Sequence, residues 1–126
     1  MSAVLKLAYD ETVRLDRSQL EVLYQSLGPV GADKVVNHAL EEISISLTRG
    51  MKEYRDGRLD ELRATMRGLV AVAQQVGMMT LARVGRDVQE LTMLHDPAAL
   101  GATIARLARI GETSLVAVWD LQDLSV

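Results

Sequence analysis

Apolar side chains along this chain recur every three or four residues, which is the period of an α-helix with one buried face. Five such stripes follow one another, and they begin at Leu20, Val36, Leu59, Leu81 and Leu100. No segment shows the alternation of apolar and polar residues that is typical of a half-buried strand. The pattern therefore predicts an all-α fold class.

Residues that cap or break helices separate the stripes. The breaks lie at Gly28–Pro29, Asp56–Gly57 and Gly77. Asp16 and Asp96 have the positions of N-caps, and Gln19 follows Asp16 with the spacing of a capping box. The predicted helices cover about 16–27, 31–55, 58–76, 79–94 and 97–121. Because short connections make successive helices antiparallel, we expect an up-down antiparallel four-helix bundle with an extra short N-terminal helix packed at one end.

The length of 126 residues is typical of one domain. We therefore expect a single domain over 1–126, in which residues 1–14 are an N-terminal extension that forms a short helix or lies along the bundle. The stripes also predict the main residues of the core. These are Leu40, Ile43, Leu47, Leu62, Met66, Leu69, Val84, Val88, Ile104, Leu107 and Leu115.

Composition and charge narrow the possible functions. The net charge is −3, whereas nucleic-acid binding usually needs a strongly basic face. The chain has one Trp, three Tyr and no Phe, so a platform for stacking bases is absent. No apolar run approaches the roughly 20 residues of a membrane span, and the first residues resemble neither a secretion signal nor a transit peptide. We expect a cytoplasmic protein that binds neither nucleic acid nor membranes.

Candidate catalytic and metal-binding residues are few. The absence of Cys excludes thiolate catalysis and zinc–thiolate sites. A di-metal site in a bundle needs Glu-x-x-His pairs inside the core, whereas His38 lies opposite the apolar stripe and should face solvent. His95 lies beside the Asp96 cap, where a cation is favourable at a helix C-terminus. We expect no enzyme activity, no cofactor and no metal.

The segment from Arg67 to Leu81 carries a more specific pattern, RGLVAVAQQVGMMTL. It resembles the central motif of histidine-containing phosphotransfer (Hpt) domains, which is roughly His-x-Leu-Lys-Gly-Ser-Ser-x-x-Leu-Gly-Ala-x-x-Leu. The matching positions are Leu69, Ala71, Val76, Gly77 and Leu81. Gln89 lies where many members carry a Gln that reaches toward the imidazole. The resemblance extends over residues 16–121, because the short capped helix, the long helix and the turn follow the family's order.

The departures from the Hpt motif concern the residues that carry phosphate chemistry. Arg67 takes the place of the phospho-accepting histidine, and Val70 takes the place of the usual Lys. Val72 and Ala73 take the places of the two Ser residues. A guanidinium stays protonated and is a poor nucleophile, so Arg67 cannot relay phosphate. The resemblance thus implies an Hpt-like fold without its catalytic group, and an unrelated helical bundle is the alternative.

The resemblance also implies a docking role. In the Hpt family, receiver domains of response regulators bind the region around the histidine, and a receiver's active site is a cluster of acidic residues. Arginines would meet that cluster with favourable charge, and small neighbours would let a partner's backbone come close. The expected partner is a receiver domain or a histidine kinase. The expected protein-binding residues are Arg67, Arg63, Ala64, Ala71, Gln74, Ile45 and Gln89.

Three other interpretations stay open from the sequence. The same face would serve equally for self-association as a homodimer. Alternatively, it is only a solvated helix surface with one scattered apolar side chain. The third interpretation is phosphotransfer through His38 or His95, which is disfavoured because His38 should lie roughly 10 Å along the bundle from Arg67.

Overall fold

The computed structural model describes residues 12–124, with the side chains of 12–122, and this part of the chain contains four helices. They are α1 (Arg17–Arg55), α2 (Leu59–Gln75), α3 (Met79–Leu91) and α4 (Pro97–Leu124). Each helix packs against its neighbours in the chain, and α1 also packs against α4, so the helices surround one core. The predicted all-α bundle is confirmed. Residues 1–11, the larger part of the predicted extension, lie outside the described range.

The extra N-terminal helix is present, but no loop separates it from the long helix. Within α1, only Gly28 has non-helical dihedral angles, φ 73° and ψ 170°, a region that is almost reserved for glycine. Pro29 begins the continuing helix, a position that suits a residue without an N–H. The predicted start of the long helix at Gly31 was therefore too late, because the break takes a single residue.

An extended segment, residues 12–16, leads into α1 and lies against the turn between α2 and α3. The Asp16 N–H donates to the Gly77 carbonyl at 2.7 Å, and the Met79 N–H donates to the Arg14 carbonyl at 3.1 Å. These bonds satisfy backbone groups at the edge of the turn. They also fix the start of α1 to a part of the chain that is far away in sequence.

Both predicted N-caps are confirmed. The Asp16 carboxylate accepts the Gln19 N–H at 3.3 Å, and the Asp96 carboxylate accepts the Ala99 N–H at 3.1 Å. The capping box predicted at Asp16 is wrong. Because Gly77 already accepts the Asp16 N–H, the Gln19 side chain turns away and donates to the last carbonyl of α2 at 3.5 Å.

The core follows the predicted stripes closely. Leu47 and Leu115 are partly exposed and pack against its edge, and the other predicted core residues are buried. Two glycines allow close helix approach: a Cβ at Gly85 would lie 2.8 Å from Val70 Cγ2, and a Cβ at Gly111 would lie 2.6 Å from Leu47 Cδ1. The first contact joins α3 to α2, and the second joins α4 to α1.

The α3 helix ends at Leu91, earlier than the predicted end near residue 94. The Thr92 hydroxyl donates to the Gln89 carbonyl at 2.6 Å and accepts from Arg63 Nε at 2.9 Å. A side chain that bonds to a carbonyl of the preceding turn competes with continued helix. The chain therefore leaves the helix at Thr92, which is buried although it is polar.

Tyr24 joins the N-terminal part of α1 to the rest of the bundle. Its hydroxyl donates to Asp33 Oδ1, and Gln122 Nε2 at the end of α4 donates to the same oxygen at 3.5 Å. Burial first, and then the hydrogen bond with Asp33, raises the pKa of Tyr24 above its usual 10.0. The folded protein therefore favours the neutral phenol.

We expect Tyr24→Phe to lower the free energy of unfolding by about 1 kcal/mol, the usual net value of one hydrogen bond. The wild-type contribution is fully present below pH 10.0 and is lost as the pH rises through the folded pKa, because the unfolded chain ionises first. In urea titrations from about pH 7 to 11.5, the free energy of unfolding of Tyr24→Phe should therefore fall less steeply with rising pH than that of the wild type. Tyr54→Phe is the control, since the Tyr54 hydroxyl makes no hydrogen bond with a described residue. If the free energy of unfolding fell equally with pH in alkaline solution for Tyr24→Phe and wild type, the prediction would be contradicted.

Candidate functional site

One side of α2 faces solvent and carries mostly short side chains. From Ala64 to Gln74 the exposed residues, named the α2 strip below, are Ala64, Arg67, Gly68, Ala71 and Gln74, and Asp60, Glu61 and Gln75 nearer the helix ends are exposed as well. The buried residues of the opposite side fix the rotation of the helix, and they are Leu62, Met66, Leu69, Val70 and Ala73. The structure thus brings together Arg67 and its predicted neighbours Ala64, Ala71 and Gln74 on one surface, and it adds Gly68, which the sequence analysis missed.

Arg67 is the only charged residue of the α2 strip. Its side chain forms no ion pair and no hydrogen bond with any described residue. A Cβ at Gly68 would meet no atom within 4 Å, so packing does not require a glycine there. Gly in a helix interior is about 1 kcal/mol less favourable than Ala. Because Gly68 and the two alanines have short side chains, the backbone of another protein can come close to α2 next to the Arg67 guanidinium.

The sequence predicted that Arg63 would bind a partner together with Arg67, but the Arg63 side chain is bound within the protein itself. Its Nε donates to Thr92 Oγ1 at 2.9 Å, and a second nitrogen lies 3.5 Å from the Thr92 carbonyl oxygen. Its Nη1 also lies 3.4 Å from Asp60 Oδ1. The guanidinium therefore fastens α2 to the end of α3. It has a structural role, and the charge that the α2 strip offers to a partner comes from Arg67.

Gln89 lies on α3 at the level of Arg67. The bond from Arg63 to Thr92 and the contact of Gly85 with α2 set the antiparallel register of the two helices. In that register Gln89 comes beside the middle of α2, which is the level that the Hpt resemblance assigns to it. Its side chain is partly exposed and makes no hydrogen bond with a described residue.

Ile45 is 56% exposed and points outward from α1. The shallow depression around it is lined by α1 residues alone, namely Ser44, Thr48, Arg49, Lys52 and Arg55. The structure therefore surrounds Ile45 with cations of its own helix and does not bring it into one pocket with the α2 strip. Ile45 remains an apolar side chain on the adjacent helix.

Arg49 is a candidate residue that the sequence analysis missed. It adjoins Gly50, which faces Met66 of α2, and it therefore lies at the level of Arg67. It is exposed, and its side chain has no ion pair with a described residue. Its position four residues after Ile45, on the same side of the helix, is the signal that could have identified it.

The two histidines lie away from the α2 strip. His38 is exposed, as predicted, and its Nε2 is 3.3 Å from a carboxylate oxygen of Glu42. It lines a depression together with Gln75 at the end of α2, about 12 Å along the helix from Arg67. His95 is exposed in the connection between α3 and α4. Neither histidine belongs to the α2 strip.

Comparison with known proteins gives no relative. No family model, curated protein or solved structure matches this chain. The Hpt resemblance therefore depends on the motif from Arg67 to Leu81 and on the order of the helices. None of the described helices is long and apolar enough to cross a membrane. The described residues also contain no group of three or more side chains that could hold a metal ion.

The chemistry of the α2 strip suits binding. Arginine keeps its charge at any physiological pH and presents a planar fork to carboxylates. The strip itself contains no Ser, Cys, His, Asp or Glu side chain. Its geometry can hold an acidic surface close to α2, but it has no group that could carry a covalent intermediate.

Proposed function

We propose that this protein is an Hpt-like interaction module of two-component signalling. It docks a receiver domain of a response regulator, or a histidine kinase, without accepting phosphate. The observation that carries the proposal is Arg67, an exposed guanidinium without a partner among the described residues, at the centre of the α2 strip. The Hpt resemblance gives this position to the phospho-accepting histidine.

Charge and shape around Arg67 support a receiver as the partner. A receiver's active site is acidic, and Arg49 adds a second cation at the same level of the bundle. Opposite charges across an interface speed encounter and fix its register. The absence of side chains beyond Cβ at Ala64, Gly68 and Ala71 leaves room for the loops that surround such a site. Docking therefore combines one central ion pair with close contact to α2.

The decisive variant is Arg67→Glu, which would place a carboxylate against the acidic pocket. Like charges in an interface can cost several kcal/mol, so binding to a receiver domain should be lost and not merely weakened. Isothermal titration against a panel of purified receiver domains measures this. Arg83→Glu, the same change at an exposed residue of α3, is the matched control and should keep wild-type affinity within about twofold. Equal loss in both variants would reject the α2 strip as the docking surface.

A homodimer through the same face is the competing function, and sizing separates the two. Ala71→Trp should block any approach to α2 by bulk, without unfolding, because Ala71 is exposed. If the wild type is a monomer that binds a receiver, Ala71→Trp should abolish that binding. If the wild type is a dimer and Ala71→Trp makes it a monomer, the signalling proposal fails and self-association replaces it.

The second half of the proposal concerns phosphate. We expect no acid-labile phosphate on the protein after incubation with phosphorylated receivers or with an autophosphorylating kinase, since the protonated guanidinium of Arg67 is a poor nucleophile. Label on His38 or His95 would contradict this expectation. His38→Gln and His95→Gln would then show which of the two imidazoles carries it.

A further inference from the structure

A second charged surface lies at the end of the bundle that holds the extended segment 12–16. It is a groove of about 950 Å³ between this segment, the start of α1, α3 and α4. The arginines that line it are Arg14, Arg17, Arg83, Arg86 and Arg106. Thus five of the chain's 14 basic residues gather in one groove, although the net charge of the chain is −3.

Little in the described structure neutralises this groove. The side chains of Arg14, Arg17, Arg83 and Arg86 form no ion pair and no hydrogen bond with a described residue. Asp16 is the acidic residue of the lining, and its carboxylate already caps α1. The guanidiniums repel one another, so an anion that binds among them relieves an unfavourable charge distribution.

Backbone contacts hold the walls of the groove in place. Arg14 donates its N–H to Thr80 Oγ1 at 2.7 Å and accepts the Met79 N–H at 3.1 Å. The N-cap residue of α3 offers no side-chain hydrogen bond, so the first turn of α3 adds partial positive charge. Arg83 and Arg86 follow in the next turns of the same helix. The cations are thus carried by parts of the fold with fixed relative positions.

We propose that this groove binds a compact polyphosphate, a small ligand with two or more linked phosphate groups. An arginine fork binds phosphate oxygens in a bidentate manner, and linked phosphates reach forks from several walls at once. A single phosphate would leave most of the four arginines Arg14, Arg17, Arg83 and Arg86 without a partner. Among the described residues that line the groove none is aromatic, so recognition comes from the phosphates and not from a stacked base. An acidic peptide carries at most one carboxylate per residue, on residues that lie up to about 3.3–3.6 Å apart when extended, and therefore matches the cluster less well.

Isothermal titration with inorganic tripolyphosphate tests the assignment. The double variant Arg83→Gln/Arg86→Gln should bind at least about tenfold more weakly than the wild type. The matched control is Lys52→Gln/Arg55→Gln, which removes the same charge from the outer side of α1 and should change the affinity by less than about twofold. Orthophosphate should bind the wild type at least about tenfold more weakly than tripolyphosphate.

Thermal melts followed by circular dichroism supply a second readout. Tripolyphosphate should raise the Tm of the wild type and of the control pair equally, and at the same concentration it should raise the Tm of the Arg83/Arg86 pair less. Equal losses in both pairs would show a response to net charge alone and overturn the proposal. No binding by the wild type, or tighter binding of an acidic peptide of equal charge, would also overturn it. The α2 strip contributes no residue to the groove, so these results do not depend on receiver docking.

Discussion

Leu69→Ala is expected to lower the free energy of unfolding by about 2–5 kcal/mol. Leu69 is 0% exposed in the middle of α2. A Cβ at Gly85 would lie 3.3 Å from Leu69 Cδ2, so this side chain packs directly on the α3 helix. Because the structure around a truncated core side chain relaxes only partially, a cavity should remain. Guanidinium titration followed by circular dichroism measures the change.

Leu94→Ala is the matched control for that experiment, because it removes the same atoms from a side chain that is 60% exposed in the connection between α3 and α4. Its effect should stay within about 0.5 kcal/mol. If Leu69→Ala lowered the free energy of unfolding by as little as Leu94→Ala, a different side of α2 would face the core. The α2 strip would then also be assigned to the wrong surface.

Gly77→Ala is expected to destabilise the fold by about 2–5 kcal/mol, from two causes that add. Gly77 has φ 76°, in the left-handed region that side chains with a Cβ disfavour by about 1–2 kcal/mol. In addition, the new Cβ would lie 2.6 Å from the Asp16 carbonyl oxygen. This neighbour is backbone, so relief requires the extended segment 12–16 to move away from the turn.

Gly57→Ala separates the two causes. Gly57 has φ 72°, and a Cβ there would meet no atom within 4 Å. Its substitution should cost only the conformational part, about 1–2 kcal/mol. Gly77→Ala should also weaken tripolyphosphate binding, because displacement of residues 12–16 moves Arg14 away from Arg83. Equal destabilisation by the two alanines would show that the segment moves without cost and is not part of the stable fold.

Much of the fold could be predicted from the sequence because burial imposes it locally. A helix that hides one side must repeat its apolar residues with the helical period, and the stripes on α2 and α3 led to the correct core residues. The predictions that were wrong concern local structure that depends on contacts between residues far apart in the sequence. The end of α3 depends on the approach of Arg63 to Thr92, and the capping box at Asp16 fails because Gly77 supplies a competing acceptor.

The candidate site was predictable to the extent that it lies on one helix. Arg67, Ala64, Ala71 and Gln74 are exposed, as their positions opposite the apolar stripe required. Arg49 reaches the same level only through the register of α1 and α2. The arginine groove could not be predicted from the sequence. Its arginines lie between positions 14 and 106, and no local sequence pattern shows that they come together.

The fastening of the extended segment to the turn between α2 and α3 has a consequence for the order of folding. The bond from Arg14 to Thr80 joins positions 66 residues apart, whereas the α1–α2, α2–α3 and α3–α4 pairs join consecutive helices. Closing the longer loop loses more chain entropy, so we expect the helix pairs to form first and the segment to dock afterwards. The arginine groove is then completed after the main barrier to folding. A ligand that recognises only the completed groove should slow unfolding and leave the folding rate unchanged.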